Sequence, residues 1–213
     1  MDEIIRAITI YAIPLVLGIT LPEAARGYVA HKLGDRTALM LGRLTLNPGK
    51  HIDPIGTILV PLLLIALNTG FVIGWPKPIP VNEANFAQPK RDSVLLALAR
   101  PLANLLMGII WVITARILLG AGLMDSYWWK VALAGFQLNI VLMVFNLLPI
   151  PPMDGSRIIA GFLPARQAIA YMRLEPYGFF ILLGLIAFGI LQAVLLPVIG
   201  FVLNLLAQLF LFG

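Results

Sequence analysis

In the stretch Leu21-Pro22-Glu23-Ala24-Ala25-Arg26 an acid and a base lie inside a segment otherwise apolar enough to enter a membrane. Positions 22 and 26 are one helical turn apart on a single face, with Glu23 beside them. Zinc hydrolases carry His-Glu-x-x-His at this spacing, two imidazoles gripping the ion while the glutamate activates its water. Here the flanking positions hold Pro22 and Arg26, and neither side chain has a lone pair to give a metal. Three further polar residues break apolar runs elsewhere: Arg100 and Asn104 in Ala-Arg-Pro-Leu-Ala-Asn, and Asp154 in Leu-Leu-Pro-Ile-Pro-Pro-Met-Asp-Gly. A charge in such a run marks either a functional site or an ion pair.

The elements that must position these residues are membrane helices. Of 213 residues 60% are hydrophobic and only 12% charged, and the mean hydropathy is +0.95. A water-exposed surface does not tolerate that balance. Apolar runs long enough to span are spread over the whole chain, so the expected class is an all-α polytopic membrane protein. It should have about five to six transmembrane helices and a short re-entrant or β-like segment. A single membrane domain over residues 1–213 is expected, with no separate soluble part. Asp2 and Glu3 precede the first run and no small-residue cleavage site follows it, so it reads as a retained helix. The net charge of +5 comes from cations scattered between apolar runs, which points to topology and lipid headgroups rather than nucleic acid. The absence of cysteine excludes disulfides, thiolate metal sites and a cysteine nucleophile.

Taken in order, a helix from Ile4 to about Arg26 crosses the membrane, bent at Pro14 and Pro22. Pro22 has no N–H, so the Gly18 carbonyl loses its partner and must find another within the protein. Residues 27–35 keep a helical pattern. From Gly42 to Thr57 the chain turns irregular at Asn47-Pro48 and Asp53-Pro54, with a strand-like alternation over Arg43 to Leu46. Ile55 to Trp75 is expected as a second span, Pro76 to Asp92 as an interfacial connector, and Ser93 to about Leu119 as a third span. The belt Tyr127, Trp128 and Trp129 opens a fourth span ending near Leu148, which breaks before Asp154. Gly155 to Glu175 should lie on the membrane surface, followed by a fifth span to about Leu196 and a short last stretch set off by Pro197. On this layout Lys and Arg stand on both sides, with a slight excess beside Pro76 to Asp92 and Gly155 to Glu175.

The helix with Glu23, the segment Gly-Arg-Leu-Thr-Leu-Asn-Pro running on to His51-Ile-Asp-Pro-Ile-Gly, the run Pro-Leu-Ala-Asn104 and the block Asn-Leu-Leu-Pro-Ile-Pro-Pro-Met-Asp154-Gly resemble the site-2 protease family. These are zinc metalloproteases that cut within membranes, and the resemblance is to compact prokaryotic members without a PDZ domain. It runs from about residue 10 to residue 180. The resemblance implies Glu23 at the general-base position, Asn104 at a position that holds substrate or stabilises the oxyanion, and Asp154 at the third zinc-ligand position. It also exposes three departures: Pro22 and Arg26 stand where the family has ligand histidines, and Arg100 stands where it has glycine.

A catalytic zinc needs about three protein ligands and a water, and of the implied three only Asp154 remains. A rearranged site using His31 and His51 competes with the plainer account of each as a locally hydrogen-bonded histidine, which is preferred. Arg26 at a helix centre would cost about 2.5–3.5 kcal/mol unless paired. One account joins Arg26 and Arg100 with Glu23 and Asp154 in an ionic cluster replacing the metal; the other lets Arg26 snorkel to the headgroups. Asn104 reads equally as a helix-packing hydrogen bond, and Asp154-Gly155 alone would pass for a turn or helix cap.

The expected function is therefore a site-2-protease-like membrane protein without proteolytic activity and without a cofactor. It would be a multi-pass protein of a prokaryotic cell membrane that retains a scaffold for transmembrane helices or extended peptides. Residues 42–57 would offer an edge for strand addition. The alternative is an active intramembrane zinc endopeptidase. A transporter is a third class, with neither an inverted repeat nor a ring of charge to support it.

Overall fold

The computed structural model describes residues 2–67 and 74–212. Helix α1 spans Asp2–Lys32 without interruption through Pro14 and Pro22. The short α2 (Thr37–Met40) follows, then irregular chain, a π-helical turn at Pro54–Leu59 and α3 (Val60–Ala66). Long α4 (Pro89–Gly120) and α5 (Tyr127–Asn146) come next. Amphipathic α6 (Asp154–Phe162) and α7 (Ala165–Met172), then α8 (Gly178–Ala187) and α9 (Ile190–Ala207), complete the chain. Five helical stretches among the described residues are long and apolar enough to cross a membrane: Ile5–Lys32, Pro89–Gly120, Tyr127–Asn146, Ala165–Ala187 and Ile190–Phe212. The protein is an integral, multi-pass, all-α membrane protein.

The centre is the α4–α5 pair. Val112 and Ala115 of α4 meet Ala132, Phe136, Ile140 and Met143 of α5, and α9 covers them with Ile199 and Leu206. Helix α1 packs across both partners, Leu15 and Ile19 meeting Leu138. Exposed residues such as Phe179, Phe188 and Phe201 face outward, as lipid requires of an apolar surface with no protein beneath it.

Four expectations change. Residues 55–75 are not a second span: Trp75 donates its N–H to Gly56 O at 3.0 Å, so the segment returns to the level at which it started. Helix within it ends at Ala66, and residues 68–73 lie outside the described residues. Hydropathy alone does not distinguish a run that crosses from one that dips in and out. Second, Arg43 to Leu46 form no strand, and no strand occurs among the described residues. The nearby chain is held instead by turns and side chains, including His51, which donates from Nε2 to Thr45 O at 2.8 Å. Third, the last break falls at Gly189 (φ +69°), where only glycine is comfortable, and not at Pro197, which sits inside α9. Fourth, Asp154 opens α6 rather than lying on an extended break of the fourth span.

The re-entrant path also changes the charge count. Tyr127 donates to Thr9 O at 2.8 Å, placing the start of α5 beside the N-terminal half of α1. Lys32, Arg36, Arg43, Lys50, Lys77, Lys90, Arg91, Arg157, Arg166 and Arg173 then all belong to the opposite end, against Arg6, Arg116 and Lys130. This replaces the slight excess expected from a crossing second span. By the positive-inside rule the richly basic end is expected to face the cytoplasm. Because the chain has no cysteine, Lys50→Cys in a bacterial host is expected to react with a membrane-impermeant maleimide only after permeabilisation. Asp125→Cys should react in intact cells, and the reverse pattern would refute this orientation.

Candidate functional site

The site lies where α1, α4 and the start of α6 converge. Helix α6 reaches it because Gly155 and Gly178 let the proline-rich turn close: a Cβ on either would overlap the carbonyl of Leu147 or of Pro151. That seating buries Asp154, 1% exposed, directly across from α4.

Glu23 is 0% exposed. Its Oε1 accepts the Ile79 N–H at 2.6 Å and lies 3.5 Å from Arg26 Nη1, one turn along α1. Its Oε2 lies 3.7 Å from Arg100 Nη1. The same Arg100 guanidinium donates from Nη2 to Asp154 Oδ1 at 2.9 Å. One cation thus bridges the two acids. Arg26 pairs with Glu23 alone, and no Arg26–Asp154 bridge is formed within salt-bridge distance among the described residues. The cluster joins α1, α4 and α6, rather than the first, third and fourth spans. Charge sums to zero over Glu23, Asp154, Arg26 and Arg100, which is what a buried set must approach. Glu23 Oε2 and Asp154 Oδ2 accept no hydrogen bond among the described residues, so the clamp is Coulombic on one side and hydrogen-bonded on the other.

Asn104 does not point into this cluster. Its Nδ2 donates to Gly18 O at 3.0 Å and to Asn139 Oδ1 at 3.0 Å. Gly18 O is the carbonyl that Pro22 leaves without an intrahelical partner, so the amide of α4 repairs the proline gap in α1. Asn139 of α5 completes the chain by donating to Gly135 O at 2.8 Å. Both amide protons of Asn104 are committed, and neither is free to stabilise an oxyanion. Asn104→Ala is expected to cost about 1–2 kcal/mol by orphaning Gly18 O in an apolar setting. In a Pro22→Ala background, where residue 22 regains its N–H, the same change should cost clearly less. A double-mutant cycle by denaturation in mixed micelles reads the difference, and equal costs in the two backgrounds would refute the coupling.

Three residues went unnoticed in the sequence. Ile79 supplies a backbone N–H to Glu23, a donor with no side-chain signature. Asn139 looked like an ordinary polar residue of a span. Asp35, 1% exposed, accepts from Thr37 N (3.1 Å) and Oγ1 (2.5 Å), Asn85 Nδ2 (2.8 Å) and Asn82 N (2.9 Å). Burial pushes the Asp35 carboxyl up, but these hydrogen bonds outweigh it and hold it below the usual carboxylate range.

The residues present do not fit a metal. No group of three His, Cys, Asp or Glu able to hold an ion occurs among the described residues, and His51 is turned to Thr45 O. The two acids that remain are spanned by a guanidinium, whose charge repels a divalent cation at the place where a third ligand would be needed.

The profile of "Peptidase family M50" matches residues 93–189. YwhC of Bacillus subtilis, named "Putative zinc metalloprotease", is 40% identical over 193 residues, 88% of this chain and 84% of that protein. This chain belongs to peptidase family M50. Rip2 of Mycolicibacterium smegmatis, with the same descriptor, is 29% identical over 80% of this chain and 64% of its own length. MJ0611 of Methanocaldococcus jannaschii is 38% identical over 68% of this chain and 71% of its own. No solved structure matches. The profile match contains Arg100, Asn104 and Asp154 of this M50 chain and excludes Glu23 and Arg26.

Proposed function

We propose that this M50 chain is a non-hydrolysing member of its family, a membrane scaffold whose zinc has been replaced by arginine. The observation that supports this reading most directly is the Arg100 guanidinium, 2.9 Å from Asp154 Oδ1 and 3.7 Å from Glu23 Oε2. A hydrolytic site needs a Lewis acid to lower the pKa of a water and a base free to take its proton. Here the base position is occupied by ion pairs and by the Ile79 N–H. With Pro22 and Arg26 lacking donors, zinc, which the names of the relatives imply for them, has no adequate ligand set in this chain.

What remains is binding. The scaffold would receive a transmembrane segment of another membrane protein, or its unwound end, and hold it uncut. An apolar groove of about 120 Å³ runs between α1 and the re-entrant α3, lined by Leu15, Val16, Ile58 and Pro61 among others. It reaches Thr57, the last residue of the irregular segment. The test is incubation of the reconstituted protein with a synthetic transmembrane peptide carrying a photo-crosslinker. Crosslinked, intact peptide is expected. Cleavage products that disappear on chelation would instead establish the second reading, an active zinc endopeptidase, for which the retained Glu23 and Asp154 speak.

A further inference from the structure

Residues 74–81 read Gly-Trp-Pro-Lys-Pro-Ile-Pro-Val, with proline at 76, 78 and 80. In extended chain, alternate N–H groups point to opposite edges. Trp75, Lys77 and Ile79 therefore carry the donors of one edge, and proline removes every donor from the other. All three donors are used on the same side of the molecule: Trp75 N to Gly56 O at 3.0 Å, Lys77 N to His51 O at 2.8 Å, and Ile79 N to Glu23 Oε1 at 2.6 Å. The returning contacts are as regular. Thr57 Oγ1 donates to Trp75 O at 2.8 Å, and Arg43 Nη2 donates to Lys77 O at 3.2 Å and Pro78 O at 3.4 Å. Asp35 anchors the far end through Asn82 N.

The receiving surface is shaped for these side chains. A Cβ on Gly27 would come within 2.8 Å of Ile79 Cδ1, and a Cβ on Gly56 would overlap the Trp75 indole. Ile79, 3% exposed, fills a notch on the α1 turn that also carries Glu23.

We propose that residues 74–81 are a built-in occupant of the acceptor face formed by His51 O, Gly56 O and the Glu23 carboxylate. They form a strap that supplies the backbone donors an extended peptide would bring and must withdraw before an outside peptide can reach those acceptors. The proposal rests on the reading of this protein as a peptide-binding scaffold and adds its regulation. The strap's outer edge has no N–H at 76, 78 and 80, so a peptide cannot satisfy its own acceptors by adding there. Displacement of the strap is the route left for an extended peptide to reach these acceptors.

Native cysteine is absent, which makes residue 79 a direct reporter. In phosphatidylcholine vesicles, Ile79→Cys is expected to react slowly with maleimide and several-fold faster when a synthetic transmembrane peptide with an extended polar end is added. Asp125→Cys, at the opposite end, should not change. Lys77→Pro, which deletes one donor in a segment already suited to proline, is expected to raise photo-crosslinking of the same peptide to residues 42–57 by roughly two- to ten-fold. Crosslinking to 42–57 with Ile79→Cys still protected would overturn the strap while leaving the scaffold reading intact. Crosslinking in neither the parent nor the Lys77→Pro chain would remove both.

Discussion

A chain carrying Pro22→His, Arg26→His and Arg100→Gly together is expected to bind about one zinc ion per chain, and the unaltered protein is expected to bind none. The first two changes put imidazoles one turn apart on the face that already holds Glu23. The third removes the cation that spans Glu23 and Asp154. Histidine at 22 also restores an N–H for Gly18 O, which releases one amide proton of Asn104 from its present bond. All three changes are needed. With Arg100 in place the ion meets a fixed positive charge at Asp154, and with Pro22 in place one imidazole is missing. The triple variant should resist denaturation more as free zinc rises, following the binding isotherm. Single and double variants should bind far less, and equal zinc content in the Pro22→His/Arg26→His chain would show that Arg100 does not block the site.

Removing the guanidinium without supplying a metal has the opposite effect. Arg100→Ala leaves Asp154 and Glu23, 1% and 0% exposed, without their shared counter-ion. Breaking a buried pair from one side costs about 3–5 kcal/mol, and because the Arg100 side chain is 25% exposed the lower end is expected, about 3 kcal/mol. Adding Asp154→Asn to Arg100→Ala should recover more than half of that loss, since the stranded charge is gone. Unfolding in mixed micelles measures both. A cost below about 0.5 kcal/mol for Arg100→Ala would mean that the ion pairs carry no structural weight.

Arg26, Arg100, Glu23 and Asp154 were legible in the sequence as a set because a charge in an apolar run must be neutralised. Which acid each base would choose was not, since Arg26 and Asp154 stand far apart in sequence and only the seating of α6 decides their separation. The Asn104 bond was legible in halves. Proline at 22 announces a free carbonyl at 18, and asparagine in a span announces a donor. Nothing local says that residues 86 apart satisfy each other. The Ile79 clamp was hidden because a backbone donor has no residue type, although proline at every second position from 76 to 80 was a visible sign of an extended segment with donors on one edge only. The re-entrant 55–75 and the break at Gly189 escaped for a common reason. Hydropathy reports what a segment can be buried in, and not where it turns. Membership in family M50 survived all of these misassignments, because it rests on residue patterns and not on their topology.

In the proposed reading, guanidinium groups hold the places where this fold would hold a metal. Its most direct test is elemental analysis of the unaltered protein, purified without chelator from zinc-replete cells and quantified per chain. Zinc and other divalent transition metals at background level are the predicted result. About one tightly held ion per chain, lost on Glu23→Gln or Asp154→Asn but retained through dialysis of the parent, would contradict it.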